Sequence, residues 1–225
     1  MPTLKVTVVI PTRDEEGGIG EIVDAVRPLC DEVLVVDGHS RDRTREIAEA
    51  HHARVVLDGG KGKGEALRRS LDVAAGDVLV FIDADGSHEP SDVPKILGPI
   101  LGDRADLVIG SRGTGGSDES FGTIPYFLRN TGGHLILLAI NYRFGVRLTD
   151  SQNGFRAIRT EVARALDLQE DVTTIEQEML IKALKRGYRV TEVPSHEYRR
   201  RYGCSRIVLW RVWHVYVWSV LKNLF

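Results

Sequence analysis

The sequence predicts an α/β protein built on an open, mostly parallel sheet flanked by helices. Three observations predict it. Short runs rich in Val and Ile recur through the first 110 residues, as in strands buried on both faces of a parallel sheet. Between them lie longer mixed segments that read as helices, and such alternation builds right-handed βαβ units. Three of the runs are followed at once by carboxylates, and open α/β sheets bind ligands at the carboxyl ends of their strands.

The predicted strands are 4–10 (LKVTVVI), 32–36 (EVLVV), 54–57 (RVVL), 77–82 (DVLVFI) and 106–109 (DLVI). The predicted helices are 19–29, 41–51, 64–75 and 91–101. After residue 110 the alternation breaks. Residues 111–120 (SRGTGGSDES) read as a mobile Gly/Ser loop, 134–140 as an apolar helix and 149–154 (TDSQNG) as a polar turn. A helix over 174–186, a strand over 188–193 and a basic tail complete the chain. There is no internal repeat. The expected division is a catalytic unit over 1–204 and a helical tail over 205–225.

The chain has 225 residues, enough for one domain with a substantial core. Its formal net charge of -2 lacks the basic excess of nucleic-acid-binding domains, so no nucleic-acid partner is expected. That total hides a division. From Tyr198 to Phe225 there is no acidic residue but there are six basic ones, leaving 24 basic against all 32 acidic groups elsewhere. The two cysteines, Cys30 and Cys204, have no metal-ligand or redox spacing, which excludes a disulfide scaffold and suits a reducing compartment. The N-terminus runs straight into a strand, so no signal peptide is expected.

The strand ends carry the chemistry. The first delivers Pro11-Thr12-Arg13-Asp14-Glu15, the second Asp37-Gly38-His39-Ser40, the fourth Asp83-Ala84-Asp85. Asp and Ser also cap helices, which is the alternative reading of Ser40 or Asp42 taken alone. Asp83 and Asp85 together concentrate negative charge at a sheet edge, and hard oxygen ligands favour Mg²⁺ or Mn²⁺ completed by substrate phosphates. Gly59–Gly64 (GGKGKG) lacks the Walker and dinucleotide patterns but would suit an anion at a helix N-terminus, or be a solvated loop.

Taken together these residues resemble glycosyltransferase family 2, inverting enzymes with the Rossmann-like GT-A fold, and among them the dolichyl- or polyprenyl-phosphate hexose synthases. Residues 8–15 (VVIPTRDE) are similar to the family's V-V-I-P-T-x-N-E, and 36–44 (VDGHSRDRT) to its V-D-D-G-S-x-D-G-T, with Gly38 at the second acidic position. Gly62-Lys63-Gly64, Asp83-Ala84-Asp85, residues 108–112 (VIGSR), 150–155 (DSQNGF), Glu178-Met179-Leu180, Glu192-Val193-Pro194 and 200–206 (RRYGCSR) match further family motifs in order. Ser87 stands where some relatives carry Gln.

The resemblance implies that Pro11, Thr12, Glu15 and Asp37 hold the base and ribose of a UDP- or GDP-hexose. Lys63, Asp83 and Ala84 would sit at its diphosphate, with Asp83 and Asp85 as ligands of Mg²⁺ or Mn²⁺. Asp85, Asp150, Arg112 and Arg200 are the expected catalytic residues. Arg129, Arg200 and Arg206 are the expected cradle of a polyprenyl or dolichyl phosphate. A hydroxyl acceptor wants a general base. A phosphate monoester, with a second pKa of about 6, is already an anionic nucleophile that needs positioning. Asp150 would be a base, an acceptor-orienting group or a cap of the turn at Asn153-Gly154.

The tail over 207–225 carries Trp210, Trp213 and Trp218 among basic residues, the composition of a helix at a membrane interface. It would alternatively pack on the core, form a homo-oligomer contact or begin a membrane region. The expected location is the cytoplasmic face of the cell membrane, peripherally bound. Two rival functions remain: a soluble family 2 transferase with a small hydroxyl acceptor, and a non-catalytic nucleotide-sugar-binding protein.

Overall fold

The structure, a computed structural model, describes residues 4–118, 124–203 and 209–224; for 124–131 and 209–213 it describes the backbone alone. One seven-stranded sheet runs through the described residues. In chain order its strands are β1 Val6–Thr12, β2 Glu32–Asp37, β3 Arg54–Leu57, β4 Val78–Phe81, β5 Leu107–Ser111, β6 Arg156–Arg159 and β7 Val190–Pro194. Their spatial order is β3-β2-β1-β4-β6-β5-β7. All pairings are parallel except those of β6, which lies antiparallel between β4 and β5.

The helices are α1 Ile19–Val26, α2 Thr44–Ala50, α3 Lys63–Val73, α4 Val93–Leu101, α5 Arg112–Gly115, α6 Ile124–Phe144, α7 Thr160–Ala165, α8 Ile175–Lys185 and α9 Leu209–Leu224. Side chains alternate across each strand, so one apolar run feeds two cores. Val8, Ile10, Val35 and Val80 meet α1 and α4 on one face. Val9, Leu34, Phe81 and Ile109 meet α3, α7 and α8 on the other.

The expected mostly parallel sheet flanked by helices is present, and four local readings change. β6 (RAIR) was not expected, because its sequence has neither an apolar run nor clean alternation. It pairs because Arg156 is fully buried with every donor group directed at a carbonyl: Nη1 donates to Glu176 O at 2.8 Å, and Nε and Nη2 donate to Asn153 O. Of the segment expected as a mobile loop, 112–118 form α5 and a strip pinned to residues 195–197, while 119–120 lie outside the described residues. A Cβ on Gly115 would lie 2.3 Å from Ser195 O, and Asp118 N donates to Glu197 O at 2.8 Å. The helix expected over 134–140 spans all of α6, 21 residues. α1 ends early, in a tight 3₁₀ turn over Arg27–Leu29, because Pro28 cannot donate to the helical ladder.

α9 contacts α6 and α8. Its Val220 and Leu224 are buried in the larger core cluster, while Val217, Trp218 and Leu221 are exposed. Among the described residues no helix is long and apolar enough to cross a membrane.

Candidate active site

The parallel trio β2, β1 and β4 ends on one edge, as their apolar runs require. Thr12 and Asp37 are register partners at the ends of β1 and β2. Asp37 is fully buried; its carboxylate accepts from Ser40 N at 3.0 Å and from Ser40 Oγ, and Arg45 Nε lies 3.6 Å away. The loops after these strands are stitched together, Asp14 N to Ser40 Oγ at 2.9 Å and Glu15 N to Thr44 Oγ1 at 2.8 Å. Thr12 Oγ1 is buried and has no hydrogen-bond partner among the described residues. A buried hydroxyl is costly unless something bonds it, so this edge suits a polar ligand. The structure thus brings together Pro11, Thr12, Glu15 and Asp37. A Cβ on Gly38 would make a tight contact, 3.3 Å from Thr12 O.

Lys63 opens α3 and reaches Asp83, at 2.7 Å to Oδ1 and 2.9 Å to Oδ2, and Glu176 Oε1 at 3.1 Å. Burial alone would lower the Lys63 pKa, but Asp83 and Glu176 outweigh it and hold the ammonium well above its usual value. Burial would likewise raise Asp83, and Lys63, His88 and Arg200 together hold it below the carboxylate range. The glycines around Lys63 have steric reasons. A Cβ on Gly64 would lie 2.3 Å from Glu170 O, and Gly62 has φ +140°. Gly154 is small because a Cβ there would lie 2.6 Å from Lys63 Nζ.

Ala84 leads to Asp85, whose Oδ2 faces Arg200 Nη1 at 2.9 Å and whose Oδ1 accepts from Ser87 N at 3.0 Å. Residues 198–202 cross over this loop. Tyr198 N donates to Ser87 O at 2.8 Å, and Arg201 N and Tyr202 N both donate to Asp85 O. Tyr202 Oη bonds Glu21, and its ring covers Gly17 and Gly18. His88 is buried and stacked on Phe155 at 5.2 Å between ring centroids, and its Nδ1 has no partner among the described residues. Burial pushes its pKa down against Asp83, Glu197 and Asp85, which pull it up.

The third cluster joins α5 to the turn before β6. Arg112 grips Asp150 with Nε at 2.6 Å and Nη2 at 2.9 Å, and Glu197 with Nη1 at 3.3 Å. Asp150 also accepts from Gln152 N and Asn153 N, so it caps the turn and orients Arg112 at once. Burial alone would raise its pKa; the Arg112 guanidinium and the amides of Gln152 and Arg112 keep it below the usual range.

Sequence reasoning missed Glu176 and singled out Glu178. The two lie two residues apart on α8, about 200° around the helix, so they serve opposite sides. Glu178 accepts from Gln169 N and Glu170 N and pairs with Lys182, a structural task. Glu176 points to Lys63 with one oxygen and leaves Oε2 buried without a partner among the described residues. The available signal was Lys63 itself: a buried ammonium wants more than one acid. The Arg129 side chain and all of Arg206 lie outside the described residues, as do Trp210 and Trp213 in their side chains.

Among the described residues no group of three or more His, Cys, Asp or Glu is placed to hold a metal ion. Asp83 and Asp85 supply two carboxylates at this edge, and the buried His88 Nδ1 in the same loop has no partner among the described residues. That fits Mg²⁺ or Mn²⁺, which commonly take one or two carboxylates and complete their shell with water and phosphate.

Comparison with known proteins agrees with this fold. The sequence profile described as Glycosyl transferase family 2 matches residues 7–167. The glycosyltransferase AglJ of Haloferax volcanii is 35% identical over 209 residues, covering 90% of this chain and 66% of that protein. A dolichyl-phosphate hexose transferase of the same organism is 32% identical over 203 residues, 89% of this chain and 85% of that one. The glucosyl-3-phosphoglycerate synthase of Mycobacterium tuberculosis, solved with Mg²⁺ and UDP, superposes with a TM-score of 0.78 at 26% identity, covering 98% of this chain and 79% of that one.

Proposed function

The chain belongs to glycosyl transferase family 2 and has its GT-A fold, and from that premise we propose that it moves a hexose from a UDP- or GDP-sugar to a polyprenyl or dolichyl phosphate at the cytoplasmic membrane face. The observation that carries the acceptor class is the Arg112–Asp150 pair. Asp150, for which a base was one of three expected roles, is gripped at 2.6 and 2.9 Å and bonded by two amides. An anion so stabilised is a poor proton acceptor. A phosphate monoester needs none, and arginines suit it. The lipid-phosphate chemistry named for the Haloferax hexose transferase supports the same reading.

In this reading Thr12 and Asp37 seat the nucleoside, and Lys63 keeps Asp83 ionised and oriented. Asp85 and Asp83 would hold the divalent cation, which supplies charge neutralisation at the departing diphosphate. An oxygen of the acceptor phosphate attacks the anomeric carbon, the carbon–oxygen bond to the donor diphosphate breaks from the opposite side, and the nucleoside diphosphate leaves. Arg112 and Arg200 orient the incoming phosphate.

A second reading, a small soluble acceptor, draws support from His88. Its lowered pKa and unpartnered Nδ1 are those of a neutral base, and the mycobacterial neighbour bears the name of a phosphoglycerate-glucosylating enzyme. Incubation with radiolabelled nucleotide sugar, Mn²⁺ and either polyprenyl phosphate or 3-phosphoglycerate separates the two. Label extracted into chloroform supports the lipid acceptor; label kept in water as a new sugar phosphate replaces it.

A further inference from the structure

A second charged feature lies away from the carboxylate edge. A surface cavity of about 340 Å³ opens between the C-terminal ends of α8 and α9, lined by Lys182, Lys185, Arg186, Lys222 and Asn223. Glu176, which faces the catalytic cluster, sits nine residues before Lys185, roughly 14 Å along the helix axis. Lys182, Lys185 and Arg186 fall at i, i+3 and i+4, on one face. Lys182 pairs with Glu178 at 2.7 Å, and Lys222 lies 3.8 Å from Glu170. Lys185 Nζ lies 3.4 Å from the Asn223 carbonyl oxygen, and neither Lys185 nor Arg186 has a carboxylate partner among the described residues. Cations near helix ends balance the exposed carbonyls there. Lys185 and Arg186, the two without a carboxylate partner among the described residues, already exceed what two helix ends of about half a charge each require.

The cavity continues into an apolar surface. On α9, Val217 and Leu221, and Trp218 and Lys222, are i,i+4 pairs, so the exposed stripe runs directly into the basic cavity. The neighbouring α6 exposes Leu135, Leu138 and Tyr142, while its Leu137 and Ile140 share a core cluster with Val220 and Leu224 of α9. A small soluble anion would use the cations and leave Trp218 and Leu221 unexplained. An apolar protein partner would leave the cations unexplained. An anionic phospholipid surface satisfies both, since tryptophan settles at the headgroup level and lysine and arginine meet phosphate there.

We propose that this cavity binds the phosphate headgroup of an anionic phospholipid, separately from any acceptor phosphate, and so docks the α9 stripe on a bilayer. The inference rests on the reading that the acceptor is carried in a lipid surface. It explains how a chain of net charge -2 meets a negative membrane: attraction is local, at the α8–α9 junction.

The test is co-sedimentation of the full chain with vesicles that contain no polyprenyl phosphate. One set is phosphatidylcholine alone, the other phosphatidylcholine mixed with phosphatidylglycerol. Binding should be selective for the mixed vesicles and weaken by roughly tenfold or more in Lys185→Gln/Arg186→Gln. It should persist in the charge-keeping Lys185→Arg/Arg186→Lys and resist inorganic phosphate at matched ionic strength. Equal binding to both vesicle types, indifference to the double glutamine variant, or displacement by inorganic phosphate would each overturn the proposal. Transfer to detergent-dispersed polyprenyl phosphate, assayed in parallel, reports on the acceptor reading independently.

Discussion

Arg200 Nη1 lies 2.9 Å from Asp85 Oδ2, so the carboxylate best placed to hold a cation is held by a guanidinium 115 positions later in the chain. The same arginine cannot neutralise Asp85 and grip an acceptor phosphate at once. Filling the donor site would therefore release Arg200 for the acceptor.

Arg200→Ala should tighten Mn²⁺ binding in the absence of nucleotide by roughly tenfold, about 1.4 kcal/mol, in isothermal titration. Its turnover should fall by roughly two orders of magnitude, the usual loss when one charge-stabilising donor is removed. An unchanged Mn²⁺ isotherm would show that the pair does not compete with the cation.

Two glycines should fail in different ways. Gly64→Ala sets a Cβ against the Glu170 carbonyl, a backbone atom that cannot step aside, and should destabilise by about 1–3 kcal/mol in urea unfolding. Gly154→Ala meets the tip of Lys63, a flexible end that can yield, so it should destabilise less than Gly64→Ala while donor turnover drops as Lys63 shifts from Asp83. Equal effects on both readouts would contradict this division.

Glu176→Gln and Glu178→Gln should separate the site from the scaffold. Glu176→Gln removes half the countercharge of Lys63 and should lower kcat with a small change in unfolding midpoint. Glu178→Gln weakens the anchor of Gln169 and Glu170 and leaves Lys182 without its acid, so unfolding should carry the loss. Circular dichroism melts and donor hydrolysis rates on both variants decide the matter.

The acid limb of stability should carry the mark of Asp150. Its pKa is below the unfolded value of about 3.9, so its contribution is complete above that pH and is lost as pH falls through the folded pKa. Asp150→Asn should flatten this limb. It should also cost about 3–5 kcal/mol at neutral pH, because Arg112 loses its closest countercharge. Urea titrations from pH 7 down to pH 3 would reveal both effects; an unaltered acid limb would place the proton uptake elsewhere.

Much of the site was legible because strand ends are legible. Asp37, Asp83 and Asp85 follow apolar runs, and a run of that length and composition has few ways to fold. The turn at 150–155 was recognisable as a motif, but not that Arg112 would bind its Asp. Glu178 drew attention over Glu176 because it opens the Glu-Met-Leu motif, and a motif match does not say which face of α8 meets the site. β6 stayed hidden because Arg156, the largest fully buried side chain, carries the charge that normally marks a surface.

The sequence by itself determined the parallel strands of the sheet, the edge on which their carboxylates gather, the family and the divided charge of body and tail. Local patterning suffices for these, since burial of a short apolar run and the direction of a parallel strand need no knowledge of distant partners. Only the tertiary structure decided which cation meets which anion. Lys63 with Asp83 and Glu176, Arg112 with Asp150, and Arg200 with Asp85 are pairs separated by 20 to 115 positions. Ion pairing depends on distance and desolvation in the folded chain, and neither quantity exists until the strands have been laid side by side.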